Sequence, residues 1–189
     1  MIMVCRLNPA KGIEVALHSL SQALQRLPSE LAGRVRLLIA GDGPLREEVK
    51  ATIQHYKLEQ ACLLWGDTPA SEVLSLLAIS DIFLYTSTRG ACFSMAMLEA
   101  MASRCAVIAS TEPRANAQLL AEQRGIAVAA NDVEQTSAAL VQLIKQPELC
   151  QQMGAAARAY VAHHHSTNMF RRTLQRTTYW AELDTLLSE

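Results

Sequence analysis

Short apolar runs alternate along the chain with longer segments in which apolar residues recur every three or four positions. Most of the short runs have no polar residue at alternate positions, which is typical of strands buried on both faces of a parallel sheet. We therefore predict strands at residues 1–5, 35–40, 61–65, 81–85, 105–109 and 126–129.

The segments with the longer period are predicted to be helices. In the first of them Leu17, Leu20 and Leu24 fall on one stripe, which would pack against the sheet. The alternation predicts an α/β fold, a Rossmann-like parallel sheet of about six strands with helices on both faces and further C-terminal helices. The predicted helices span 12–27, 45–56, 71–78, 94–103, 115–122 and 132–144, followed by 147–164 and 167–187 without an intervening strand.

Length and composition indicate a single globular domain. Of the 189 residues 50% are hydrophobic and 19% are charged, and the formal net charge is -1, which gives no bias toward nucleic acid or anionic membranes. No apolar run approaches the ~20 residues of a membrane helix, and Arg6 and Lys11 interrupt the N-terminal apolar run that a signal peptide needs. We expect a cytoplasmic protein with a core of 1–165 and a C-terminal helix within 166–189.

The cysteines and histidines do not predict a metal site. No C-x-x-C pair occurs, and His163, His164 and His165 are adjacent, so on a helix they point about 100° apart. We expect reduced, mostly buried thiols, no metal and no cofactor. The cysteines are Cys5, Cys62, Cys92, Cys105 and Cys150.

Candidate ligand-binding residues follow the first two predicted strands. Ligands of such sheets bind beyond the carboxyl ends of the strands, and there Arg6 and Lys11 lie on the loop that enters the first helix. A guanidinium and an ammonium beside helix N–H groups suit a diphosphate, although a solvated basic loop has the same composition. Gly41 and Gly43 follow the second strand, where the chain turns sharply; turn glycines are common.

The helix after the fourth predicted strand supplies the other candidates. Small residues at its start would let a phosphate approach the free N–H groups, and Glu99 lies about one and a half turns inside. That carboxylate could accept hydrogen bonds from ribose hydroxyls, although an ordinary helix-surface glutamate would look the same.

Taken together, the successive segments CRLNPAKG, AGDGPL, LLWG, SDIFLYTS, the run ending MLEAMA, and VIAS resemble a known family. They are similar, in the same order and over nearly the whole chain, to the C-terminal domain of the group 1 retaining GT-B glycosyltransferases. The resemblance implies one half of a GT-B fold that binds a nucleotide-diphosphate sugar and transfers a hexose with retention of configuration, without a metal. By matching position, Arg6 and Lys11 would stabilise the leaving diphosphate, and Glu99, the second glutamate of the E-x7-E motif, would hold the ribose.

The same resemblance implies further donor contacts and also shows departures from the family pattern. The first glutamate of E-x7-E is replaced by Ala91, which cannot accept a hydrogen bond. Gln118 occupies the position of a later family glutamate. Arg104-Cys105-Ala106 occupies the position of the usual Gly-x-Pro before the fifth strand. The further donor-binding positions are Gly41, Gly43, Gly66, Asp67, Phe93, Ser94, Met95 and Ala96.

Family members carry an N-terminal acceptor domain, whereas Met1 here begins on the strand that opens the second domain. We expect that domain to be absent from this chain. Another chain or a second copy in a homo-oligomer would then complete the cleft. If the protein works at a membrane surface, we expect such a partner to bring it there. The last predicted helix would cross back toward the missing domain.

Two other hypotheses stay open. The chain could be a non-catalytic pseudo-glycosyltransferase module that pairs with another protein, which Ala91 favours. A generic dinucleotide-binding or response-regulator-like domain fits less well, because no G-x-G-x-x-G motif and no acidic cluster follows the first strand.

Overall fold

The strands of the computed structural model, which describes residues 1–89, 94–112 and 115–165, form one parallel sheet. Its order is β3-β2-β1-β4-β5-β6, so the predicted Rossmann-like fold is confirmed. The strand order reverses between β1 and β4, and ligands bind at such switch points. The strands are β1 Ile2–Val4, β2 Leu37–Ala40, β3 Cys62–Gly66, β4 Ile82–Tyr85, β5 Ala106–Ser110 and β6 Gly125–Val128.

The helices agree with the sequence prediction to within a few residues, with two additions. A 3-10 turn at Pro9–Lys11 and the four-residue helix α2 were not predicted, because elements this short have no measurable periodicity. The predicted helix at 167–187 lies outside the described residues. The helices are α1 Ile13–Arg26, α2 Ser29–Ala32, α3 Arg46–His55, α4 Ala70–Ala78, α5 Met95–Ala102, α6 Ala115–Leu120, α7 Val133–Lys145 and α8 Pro147–His164.

The four central strands, β1, β2, β4 and β5, bury apolar side chains in two separate cores, one on each face of the sheet, whereas the edge strand β3 leaves Leu63 and Trp65 exposed. Met3 of β1 contributes to the core beneath α1, α3 and α7, while its neighbour Ile2 contributes to the core beneath α4, α5 and α6. Leu84 and Phe83 of β4 divide between the two cores in the same way. Because both faces are covered, the strands need no polar alternation.

Helix α8 passes from one core to the other at the amino ends of the strands. Its residues Cys150 and Met153 belong to the first core and Ala157 to the second. At the crossing, a Cβ atom on Gly154 would lie 2.0 Å from the carbonyl oxygen of Arg104. The glycine therefore lets the helix backbone contact the chain that enters β5.

The described cysteines are free, and burial keeps their thiols protonated at neutral pH. Cys105 is fully buried before β5, with its sulfur 3.3 Å from the carbonyl oxygens of Leu77 and Ser80. Burial raises the pKa of Cys105 from 9.0 to about 12 and that of Cys62 to about 12. These thiols are accordingly structural and not nucleophilic.

We predict that Gly154→Ala destabilises the protein by ~1–3 kcal/mol through overlap with Arg104, although alanine favours helices by about 1 kcal/mol over glycine. Urea unfolding measures the change. Gln151→Ala, at an exposed position of the same helix, serves as the control and should cost nothing. A Gly154→Ala variant as stable as the control would contradict the close crossing.

Cys105 should also make stability fall with pH in the alkaline range. Because its pKa is raised in the folded state, its contribution is complete below about pH 9 and is lost as the pH rises toward 12. Over that window we predict that the unfolding free energy of the unmodified chain falls more steeply than that of Cys105→Ala, by up to ~1.4 kcal/mol per pH unit. Urea titrations at several pH values measure the unfolding free energy of both proteins. If it falls equally with pH in the unmodified chain and in Cys105→Ala, the Cys105 thiol does not titrate as its burial requires.

Candidate active site

The carboxyl ends of β1, β2 and β3 enclose a cleft of ≈ 400 Å³. Three residues that the sequence analysis selected, Arg6, Gly41 and Asp67, line it together, and α4 closes one side through Val73. The full lining is Val4, Cys5, Arg6, Ala40, Gly41, Asp42, Asp67, Thr68 and Val73.

The charged groups of this cleft are not equally available to a ligand. The carboxylate of Asp42 is already engaged, because it accepts hydrogen bonds from the Gly43 N–H at 2.6 Å and from Arg46 Nη1 at 3.1 Å. Arg6 and Asp67 are both exposed, and neither side chain forms a hydrogen bond or ion pair with any residue described. The guanidinium of Arg6 could therefore meet an anion without first losing a partner among the described residues.

Lys11 lies beside this cleft, on the β4 side of the loop, and does not line it. Its ammonium is 5.9 Å from the centre of the ring of Tyr85, the last residue of β4. Burial raises the pKa of the Cys5 thiol to about 11, and the nearby Lys11 charge opposes that rise only in part. Lys11 therefore stands over the ends of β1 and β4, at the switch point, while Arg6 stands on the β2 side.

Glu99 lies on the border between the buried and exposed faces of α5. Its side chain is half-buried and forms no hydrogen bond or ion pair within the described part of the chain. The helix packs in the same layer as Tyr85 and Val73. Glu99 and Lys11 therefore occupy the same face of the sheet as the cleft, although no measured contact joins them.

The first turn of α5 holds the other predicted donor contacts that can be placed. Ser94 is its N-cap residue and makes no capping hydrogen bond with its side chain, so the first N–H groups of the helix remain uncapped by it. Met95 is exposed and Ala96 half-buried. Ala91 and Phe93 lie outside the described residues, and their roles stay predictions.

The glycines after β2 have a structural role that the sequence analysis did not foresee. A Cβ atom on Gly41 would lie 2.0 Å from the Cys5 carbonyl oxygen, and one on Gly43 would lie 2.4 Å from that of Leu7. The two loops also exchange backbone hydrogen bonds, from Leu7 to Asp42 at 2.9 Å and from Leu45 to Leu7 at 3.2 Å. These glycines hold the Arg6 loop in place; their predicted contact with a ligand stays a prediction.

Gly66 differs from these two glycines, because no backbone atom lies against the position that its Cβ would take. Its φ angle is 97°, and the nearest atom to an added Cβ is Arg46 Nη1 at 3.6 Å. It is buried and does not line the cleft, although the next residue, Asp67, does, so its predicted contact with a ligand stays a prediction.

Hydroxyl groups after β4 fix the loop from its other side. Thr86 and Ser87 are buried, and their hydroxyls donate to backbone carbonyls of residues 10–12. The sequence analysis missed these residues, and the only signal was the hydroxyl-bearing run Thr86-Ser87-Thr88 directly after an apolar strand.

The described residues contain neither a cluster of metal ligands nor a membrane-spanning helix. No group of three or more His, Cys, Asp or Glu side chains lies close enough together there to hold a metal ion. None of the helices in the same residues is long and apolar enough to cross a membrane.

Comparison with known proteins identifies the family. The family model described as glycosyl transferases group 1 matches residues 1–160. The chain belongs to this family. The resemblance inferred from the sequence motifs is thereby confirmed.

Individual group 1 relatives are longer than this chain. The human alpha-1,3/1,6-mannosyltransferase ALG2 is 28% identical over 184 residues, which is 93% of this chain and 44% of that protein. The putative colanic acid biosynthesis glycosyltransferase WcaL of Salmonella typhimurium is 31% identical over 148 residues, 75% of this chain and 35% of that protein. The chain thus spans less than half the length of these curated relatives.

Solved structures of glycosyltransferases share the fold. TarM of Staphylococcus aureus, in a complex that contains UDP, aligns with a TM-score of 0.79 and 20% identity over 92% of this chain and 34% of that chain. The C-terminal domain of the group 1 protein LpcC from Francisella tularensis aligns with a TM-score of 0.77 and 21% identity over 88% of this chain and 86% of that chain. The architecture is therefore that of a GT-B C-terminal domain.

A pair of glycine variants tests the loop packing at the cleft. Gly41 and Gly66 both have positive φ angles, 130° and 97°, so alanine strains the backbone at each position. Only Gly41→Ala also collides with the Cys5 carbonyl, and we predict that it costs at least ~2 kcal/mol more than Gly66→Ala in urea unfolding. Equal costs would mean that backbone strain alone selects glycine here.

Proposed function

We propose that the chain is the donor-binding domain of a retaining GT-B glycosyltransferase, which binds a nucleotide-diphosphate sugar for hexosyl transfer. The observation that carries this proposal is the placement of two cations, Arg6 and Lys11, on either side of the end of β1. They belong to one short loop, and that loop is fixed by close backbone contacts to both neighbouring loops.

The two cations suit a diphosphate for complementary reasons. A guanidinium can bind two phosphate oxygens at once, whereas an ammonium acts as a compact point charge. Neither Arg6 nor Lys11 has an ion-pair partner among the described residues, so a ligand would not have to displace one. Both cations would therefore be free to meet the phosphates.

In the proposed reaction the bond between the anomeric carbon and the diphosphate oxygen breaks as the anomeric carbon bonds to the acceptor oxygen, and the hydroxyl proton passes to the leaving diphosphate. Negative charge then grows on the leaving diphosphate, and fixed cations at that point lower the barrier. Arg6 and Lys11 would supply this stabilisation, which is why we expect no metal requirement. Glu99 would accept hydrogen bonds from the ribose and align the nucleotide.

Ala91 is the main reason to consider a second function. By the family resemblance a carboxylate at this position would contact the donor sugar, and its absence would lower the rate by about 10²–10³ if it contributes ~2.7–4 kcal/mol. A non-catalytic module that keeps donor binding and pairs with another protein would tolerate this loss. In either case we propose that an acceptor domain completes the cleft.

Nucleoside diphosphate binding tests the proposal. By calorimetry at least one of UDP, GDP and ADP should bind, and Arg6→Gln or Lys11→Gln should weaken that binding by ~10–100-fold, because each variant removes a charged hydrogen bond. Glu99→Gln should have a smaller effect, since it keeps the shape and one acceptor of the side chain. EDTA should leave the affinity unchanged.

Arg34→Gln is the matched control, because Arg34 is exposed and precedes β2, at the opposite end of the sheet. It should bind like the unmodified chain. If none of the three nucleotides binds at millimolar concentration, the donor-binding proposal is wrong.

A further inference from the structure

A series of buried polar side chains runs from the β1 loop past the carboxyl ends of β4 and β5 to α6. Thr86, Ser87, Ser110 and Asn116 are all at most 2% exposed, in a sheet whose other inward side chains are apolar. Burying polar groups is unfavourable unless they are hydrogen-bonded. The hydrogen-bond partners of these four side chains therefore show which loops and strands they connect.

On the β1 side these hydroxyls bind three consecutive carbonyls. The Thr86 hydroxyl donates to the carbonyl oxygens of Gly12 at 2.9 Å and Lys11 at 3.1 Å. The Ser87 hydroxyl lies 2.8 Å from the Ala10 carbonyl oxygen, which also accepts from the Thr88 N–H at 2.9 Å. The loop that carries Lys11 is thus attached at residues 10, 11 and 12.

On the other side the attachment continues into β5 and α6. The Ser110 hydroxyl donates to the Ser87 carbonyl oxygen and lies 3.2 Å from that of Glu112. The side-chain amide of Asn116 donates to the Ser110 carbonyl oxygen at 2.8 Å. Each residue is therefore held by the next, and the loop is connected to the interior of the sheet.

β1 pairs with β2 along its whole length, but on the β4 side the sheet gives the loop little support. β1 is three residues long, and its pairing with β4 consists of Ile2 opposite Phe83, near the amino end of both strands. Beyond that pair, the hydroxyls of Thr86 and Ser87 make the connection between β1 and β4 that a longer ladder would otherwise make.

We propose that Thr86 and Ser87, supported by Ser110, are positioning residues that hold the Lys11 loop over the ends of β1 and β4. They act through this loop and do not contact the donor. The proposal rests on the proposed function in one respect: the fixed loop places the Lys11 ammonium where the outer phosphate of the donor would lie. Without these hydroxyls the loop would keep its backbone contacts but would be less ordered on the β4 side before binding, and ordering it on binding lowers affinity.

Amide hydrogen exchange without a ligand tests the attachment directly. In Thr86→Val, which keeps the side-chain shape and loses the hydroxyl, the amides of Lys11, Gly12 and Thr88 should exchange at least ~10-fold faster. Thr86→Ser, which keeps the hydroxyl, should restore slow exchange, and the amide of Ile39 in β2 should be unchanged in both variants. If the two variants exchange alike at the loop amides, the hydroxyl does not hold the loop.

Ser87→Ala should also increase the exchange rate of the Lys11, Gly12 and Thr88 amides. If Ser87→Ala fails to fold, the comparison of Thr86→Val with Thr86→Ser still decides the test. Rates within twofold of the unmodified chain in Thr86→Val would overturn the proposal whatever the protein binds. Faster exchange throughout the sheet, including Ile39, would instead indicate a general loss of stability and would equally overturn it.

Nucleotide binding then tests the consequence for Lys11. The ratio of nucleoside diphosphate to nucleoside monophosphate affinity should fall ~10-fold in Thr86→Val and recover in Thr86→Ser, because only the outer phosphate would depend on Lys11. An equal loss of both affinities would contradict a positioning role. If the unmodified chain binds neither nucleotide but exchange responds as expected, the proposed function fails while the attachment of the loop stands.

Discussion

The candidate site depends on the packing of one loop, residues 5–12, between the loops that follow β2 and β4. On the β2 side the backbone of this loop contacts Gly41 and Gly43 so closely that no side chain would fit. On the β4 side a Cβ atom on Gly12 would lie 2.1 Å from the Thr86 carbonyl oxygen. Because both contacts are between backbones, the loop has little freedom, and the two cations it carries are separated by the end of β1.

This arrangement separates stability from function within the chain. The two apolar cores and the six-stranded sheet supply the stability, and the charged residues at the carboxyl edge remain exposed with few internal partners. Polar positions can then change without loss of the fold. By the family resemblance, Ala91 and Gln118 stand where glutamates are expected, while the apolar pattern of the strands and helices is retained.

The sequence predicted the sheet well, because each strand is a compact apolar run between clear breaks, and the observed strand ends differ by at most two residues. It also placed Arg6 and Asp67 at a common edge, since loops after parallel strands meet there. The departures from the family were harder to interpret. Arg104, in place of a glycine, adopts a φ angle of 67°, so the backbone conformation that favours glycine persists without one.

What the sequence could not predict are contacts between loops that are distant along the chain. The attachment of Lys11 by Thr86 spans 75 positions, and the fit of Gly41 against Cys5 depends on strand register. The most direct test of the central claim is a crystal structure of the chain soaked with a nucleoside diphosphate. We predict that its phosphates lie between the Arg6 guanidinium and the Lys11 ammonium, with the ribose at Glu99; phosphates that contact neither cation would contradict the account.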